Sequence, residues 1–104
     1  MILRMWRGVT PVEKAQAFFE YVKETGEPAY LGAKGNRGVW VIRRSTAEGM
    51  EFRLLSLWDS VEDLKRFAGP DYGRAVYTFP RDKEFLVTLE ERVEHFDVLS
   101  SQTR

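Results

Sequence analysis

The chain has no cysteine, which excludes a disulfide framework, a thiolate nucleophile and cysteine-held zinc or iron–sulfur centres. Histidine occurs once, at His95. One imidazole, with no ligand-like cluster of acidic residues around it, makes no metal site, so neither a metal nor a cofactor is expected. Net charge is also missing. Sixteen basic and sixteen acidic side chains cancel, and no overall field draws the protein to nucleic acid or to a membrane surface. Arg37, Arg43, Arg44 and Arg53 form a local basic group, but Glu48 and Glu51 lie close to them in sequence. Long apolar runs are absent. The first one is broken by Arg4 and Arg7, so it is neither a secretory core nor a membrane span, and a cytoplasmic location is expected.

What is present is enough to fold. With 43% hydrophobic and 13% aromatic residues in 104, the chain suits a single domain over residues 1–104 around one core. Ile2 to Arg7 reads as a first strand. Thr10-Pro11-Val12-Glu13 predicts a helix start, with Thr10 as cap, Pro11 in the first turn and Glu13 closing a capping box. Val12, Ala15, Phe19 and Val22 form its apolar stripe, widened by Phe18 and Tyr21. Gly26 and Pro28 are expected to end that helix. Tyr30 to Arg44 then reads as extended, with a bend or bulge at Gly35-Asn36-Arg37-Gly38. Those glycines lead into a strand and not a helix, so they form no phosphate cradle.

The sharpest local signal is the change of period between Phe52 and Gly69. Phe52, Leu54, Ser56 and Trp58 alternate as a strand does. Val61, Leu64, Phe67 and Ala68 then follow helical spacing. Asp59 or Ser60 caps this helix, Asp63 sits near its positive end, and Gly69-Pro70 stop it. Asp71 to Tyr77 reads as a short helical piece, Pro80 as an interruption, Asp82 to Leu89 as a further turn, and Val93 to Leu99 as the last strand. The order β-α-β-β-α-β predicts an α+β, ferredoxin-like antiparallel sheet with helices on one face. Its strands are apolar on both sides, as Val39 and Val41 against Trp40 and Ile42, so the other face needs a cover. A homodimer joined through its sheets supplies one.

For chemistry, His95 is the only side chain with an ordinary pKa near neutrality. It shares a strand side with Val93 and Asp97, and it is either a packed sheet residue or a general base. Ser56 and Ser60 sit in no nucleophile elbow, so a hydrolase triad is not indicated. The aromatic residues remain. Trp6, Trp40, Trp58, Tyr72, Tyr77 and Phe79 are core or pocket residues, with Arg4, Arg43 or Arg74 available as a positive edge. The expected pocket is bounded by Trp58, Tyr72, Tyr77 and His95.

The run Ser56-x-Trp58-x-Ser60-x-Glu62-x-Leu64-x-x-Phe67-x-Gly69, then Tyr72 and Ala75, then His95-Phe96-x-Val98, resembles the antibiotic-biosynthesis-monooxygenase-type proteins of the dimeric α+β barrel superfamily. The resemblance implies a dimeric barrel and a cofactor-independent monooxygenase acting on a small aromatic or phenolic substrate. His95 and Trp58 would be its catalytic residues, and Trp6, Tyr72, Tyr77, Arg4 and Arg74 its substrate-binding residues. The alternative is a non-catalytic, small-ligand-binding dimer. Haem degraders of this superfamily need an Asn on the first strand and a His on the segment after the Trp. Here the first strand offers Arg4 and Trp6, and no His lies between Trp58 and His95.

Overall fold

β1 (Ile2–Thr10) runs through the centre of the sheet. In the computed structural model, which describes all residues except 78 and 80, it pairs antiparallel with β3 (Gly49–Trp58) from Ile2↔Trp58 to Thr10↔Met50. On its other side it pairs antiparallel with β4 (Glu94–Asp97) through Arg4↔His95. β2 (Asn36–Thr46) forms the outer strand on β3, giving the order β2-β3-β1-β4. Helices α1 (Ala15–Glu24) and α2 (Gly26–Gly32) connect β1 to β2, while α3 (Val61–Ala68) and the short α4 (Asp82–Phe85) connect β3 to β4. This is the expected α+β, βαββαβ arrangement.

Because side chains alternate along a strand, the register sends Arg4, Trp6, Phe52, Leu54, Ser56 and Trp58 to one face. Trp6, Phe52, Leu54 and Trp58 form one core with Phe18, Tyr21 and Val22 of α1, Tyr30 of α2, Leu64 of α3 and Phe85 of α4. Phe18 packs edge-on against Phe52 with ring centroids 4.9 Å apart. The opposite face carries no helix. There Trp40, Ile42 and Phe96 are 50, 47 and 46% exposed, beside half-buried Leu3, Met5, Leu55 and Leu57. Toward one end the same face becomes charged. Buried Glu51 takes Arg53 at 2.8 Å, Arg44 at 3.3 Å and Arg7 at 3.4 Å, and the Arg53 and Arg44 guanidinium groups hold its carboxyl below the usual range.

The β3–α3 corner follows the sequence closely. Ser60 Oγ accepts from the Asp63 N–H at 3.2 Å, and Gly69 leaves the helix at φ 94°. The bend at Asn36–Gly38 is a register shift against β3. Elsewhere the expectations need correction. β1 runs on to Thr10, whose hydroxyl donates to the Pro11 carbonyl and caps nothing. A 3₁₀ turn at Val12–Lys14 precedes α1, which buries Ala15, Phe18, Tyr21 and Val22 and leaves Val12 59% exposed. Gly26 and Pro28 do not end helical structure. The chain breaks at Thr25 and restarts as α2, with Pro28 in the first turn, where a missing N–H costs nothing. Tyr30 is therefore helical and not extended. Asp71 to Tyr77 is not a helix either. It lies along 91–93, with Arg74 bridging Arg92 and the Ala75 N–H donating to the Glu91 carbonyl at 2.9 Å. β4 is shorter than expected, and the interruption placed at Pro80 lies outside the described residues. Among those residues no helix is long and apolar enough to cross a membrane.

Gly35 ties the first half of the chain to this corner. Its carbonyl accepts from the Asp59 N–H at 2.9 Å, its φ is 85°, and a Cβ there would run into the Asp63 carboxylate. Gly35→Ala is expected to lower stability by about 1–3 kcal/mol in urea unfolding, through left-handed strain added to the collision. Gly32→Ala meets nothing within 4 Å and should shift stability by less than about 1 kcal/mol. Equal effects at both positions would contradict this account.

Candidate functional site

The inward residues of β1 lie under the gap between the helices. Arg4 and Trp6 form the floor beside Leu54 of β3, and Phe18 and Val22 of α1 form one wall. The break between α1 and α2 supplies Thr25 and Gly26, α2 supplies Ala29 and Tyr30, and Phe67 of α3 closes one end. Val76, Tyr77, Phe79 and Asp82 come from the chain leading to β4. The cavity is about 70 Å³, inside a cleft of about 600 Å³ that includes open solvent. Trp6 stands edge-on to Tyr77 at 6.4 Å and tilted against Phe18 at 6.3 Å. Gly8 makes that indole position available, since a Cβ at Gly8 would strike the Trp6 ring.

The polar groups of this lining are few. Tyr77 donates its hydroxyl to the Glu90 carbonyl at 2.7 Å, and burial raises its pKa. Burial also raises the pKa of Tyr30, with the neighbouring Arg4 guanidinium opposing part of that rise. Asp82, the lining carboxylate, is pushed up to about 6 by burial alone. Arg4 is only 2% exposed. Its Nη1 donates to the Tyr72 carbonyl at 2.5 Å and lies 3.1 Å from His95 Nε2. Among the described residues its Nε has no partner and no carboxylate forms an ion pair with Arg4.

His95 therefore faces a cation. Arginine only donates, so Nε2 must accept, and the imidazole proton sits on Nδ1. Burial, and then the Arg4 charge, bring the His95 pKa down to about 4. The ring is neutral at pH 7 and stands edge-on to Tyr72 with centroids 5.0 Å apart. Asp97, offered by sequence as its orienting partner, is exposed, pairs across the sheet with Ile2 and makes no hydrogen bond to His95 among the described residues.

Of the residues singled out by sequence, Arg4, Trp6, Tyr77 and Phe79 line the cavity, while Trp58, Tyr72, His95 and Arg74 lie outside its lining. Trp58 is completely buried, donates Nε1 to Ser56 Oγ at 2.9 Å and is covered by Phe67 at 4.9 Å and Tyr30 at 6.3 Å. It shares a face with His95, across β1 from it. Tyr72 and His95 reach the cavity through Arg4. Arg74 is exposed beside Glu91 and Arg92. Sequence reasoning missed Tyr30, Ala29 and Asp82. The spacing Gly26, Ala29, Tyr30 is the i, i+3, i+4 pattern of one helix face and was the available signal. Asp82 had none. Among the described residues no three His, Asp or Glu side chains form a metal-binding group.

No protein-family model matches the chain, and no curated protein matches it in sequence. Solved structures do match its fold. A protein from Nitrosomonas europaea, provisionally named an antibiotic biosynthesis monooxygenase, superposes with a TM-score of 0.69 at 14% identity, covering 96% of this chain and 100% of the other. A similarly named protein from Bacillus cereus gives 0.62 at 20% identity, covering 100% and 96%. A MhuD variant carrying two manganese protoporphyrin IX groups per active site gives 0.64 at 14% identity, covering 100% of both chains. The fold is that of the antibiotic-biosynthesis-monooxygenase-type structures, as the second half of the sequence led us to expect.

A single histidine makes its protonation directly readable. The imidazole resonances of His95 should titrate with a midpoint near 4 and not near 6.5. Its folded pKa lies below the unfolded value, so its contribution to stability is present above pH 6.5 and is lost as pH falls toward 4. The raised Asp82 acts oppositely, adding stability below pH 4 that is lost as pH rises through about 6. His95→Gln should remove the first effect and leave the second. A midpoint near 6.5 would mean that the ring faces water and not Arg4.

Proposed function

We propose that this protein is a homodimer whose cavity takes a small aromatic, phenol-type molecule and oxygenates it without metal or flavin. The observation that carries the reading is the aromatic-walled cavity between sheet and helices with one buried cation on its floor, in a fold shared with proteins named as monooxygenases. Apolar walls with few polar groups suit a flat ring. The cavity volume is smaller than the ~150 Å³ of a cavity that admits benzene, so a bound ring would also occupy the open part of the cleft. Arg4 stands on the strand where the haem degraders carry an Asn.

In such a reaction the ionised substrate supplies all the electrons that reduce dioxygen. A ring methylene becomes a carbonyl, one oxygen atom enters the product and the other leaves as water. The protein's part is to hold the substrate in a water-poor space and to take a proton. Asp82 is the lining group whose pKa of about 6 suits it to accept one near neutral pH. His95, neutral and bonded to Arg4, holds the guanidinium in place. One observation favours the second reading, a binding dimer without catalysis: neither His95 nor Trp58 lines the cavity.

Oxygen uptake with anthrone- and hydroquinone-like substrates separates the two. Uptake above the uncatalysed background is expected, and it should fall on Asp82→Asn, by about 10²-fold or more if Asp82 is the base. Background rates in the wild type would leave the binding module. For assembly, the uncovered sheet face is the proposed interface. Light scattering at micromolar concentration should give twice the chain mass, and Trp40→Glu with Phe96→Glu should halve it. A wild-type monomer would overturn the dimer.

A further inference from the structure

We propose that Arg4 is a clamp for an ionised oxygen, so that the cavity selects flat aromatic ligands carrying a phenolate, enolate or carboxylate over neutral rings of the same shape. This rests on the reading of the cavity as a ligand site and is independent of whether oxygenation follows.

A buried guanidinium is costly unless paired with a carboxylate and fully hydrogen-bonded. Arg4 is nearly fully buried, yet no acidic side chain among the described residues pairs with it. Its Nη1 is committed to two neutral acceptors, the Tyr72 carbonyl and His95. Those bonds fix the plane of the group without cancelling its charge. Nε, on the same guanidinium, is buried with no acceptor among the described residues, the neighbouring Tyr30 hydroxyl being neutral as well, and an orphaned buried donor is rare enough to call for an explanation. Asp82 does not answer it. That carboxyl lines the cavity too, but burial raises its pKa with no opposing influence from Arg4, as a nearby cation would exert.

The surroundings narrow the ligand. Trp6, Phe18, Tyr30, Phe67 and Tyr77 line the same cavity, so the group attached to the anion is flat and apolar. A charge-assisted bond from the guanidinium would hold the oxygen while the ring lies among these side chains. The same bond stabilises an ionised phenol over its neutral form, so binding would itself lower the ligand's pKa. A phenol bound in this way would release its proton, to Asp82 or to water, without any stronger base. Arg4 would then prepare the substrate that the proposed oxygenation consumes.

The test uses the intact protein and three probes: a nitrophenol, whose phenolate absorbs in the visible, the matching nitrobenzoate, and the matching nitroanisole. Wild-type protein should bind at least one of the two anions about tenfold or more tighter than the neutral ether, and bound nitrophenol should ionise at lower pH than free. Comparing the two anions tells phenolate from carboxylate ligands. Arg4→Gln should abolish the preference and the spectral shift. Should that variant fail to fold, the wild-type ratio of anion to ether decides alone. Equal affinity for anion and ether would overturn the clamp and leave the cavity as a ligand site. Binding of none of the three would overturn both.

Discussion

The register of β1 between β3 and β4 is the constraint on which the rest of the molecule depends. Ile2↔Trp58 on one side and Arg4↔His95 on the other fix which side chains of the central strand meet the helices. A slip of one residue would exchange Arg4 and Trp6 for Leu3 and Met5. Such a slip would take the cation and the indole out of the cavity and leave the uncovered sheet face with them. β1 therefore sets the cavity floor and the bare apolar face at once. These are the two sides of a single alternation.

That register was partly legible in the sequence, and the parts that were not share a cause. The β3–α3 corner could be read because every local signal agreed: alternation to Trp58, a Ser60 cap, helical spacing from Val61 and a glycine stop at Gly69. At residues 25–35 the signals conflicted. Gly26 and Pro28 are stops by propensity, yet Pro28 falls in a first turn, and the buried face of α2 outweighs the glycine. Tyr30 packs against Phe67 with centroids 4.8 Å apart and against Trp58 at 6.3 Å, contacts with residues far along the chain that no local pattern contains. Missing α2 also left part of the cavity lining unread. Read as a strand, residue 30 left Trp58 open at a strand end. Read correctly, Tyr30 covers Trp58, and Ala29 and Tyr30 become walls.

Arg4 and Glu51 show how differently this fold treats two of its buried charges. Glu51 lies on the uncovered face with arginines on three neighbouring positions, and its carboxyl is held in the charged form. Arg4 lies on the helix face with a carbonyl, a neutral imidazole and the Tyr30 hydroxyl for company. The chain carries as many acidic as basic side chains, so no shortage of carboxylates explains the second arrangement. A Glu at position 95 would face Arg4 across the same strand pair. The residue there is instead one that accepts a hydrogen bond while carrying no charge.

This choice bears on what His95 is for. A base must offer a free lone pair toward the proton it removes. His95 directs its Nε2 lone pair at Arg4, and protonating it would set two cations 3.1 Å apart. Burial and that cation act in the same direction, so the ring stays neutral through the physiological range. A neutral acceptor orients the guanidinium as a carboxylate would, but leaves its charge uncancelled. The charge is then available to whatever oxygen enters between Trp6 and Tyr30, and the histidine contributes by remaining uncharged.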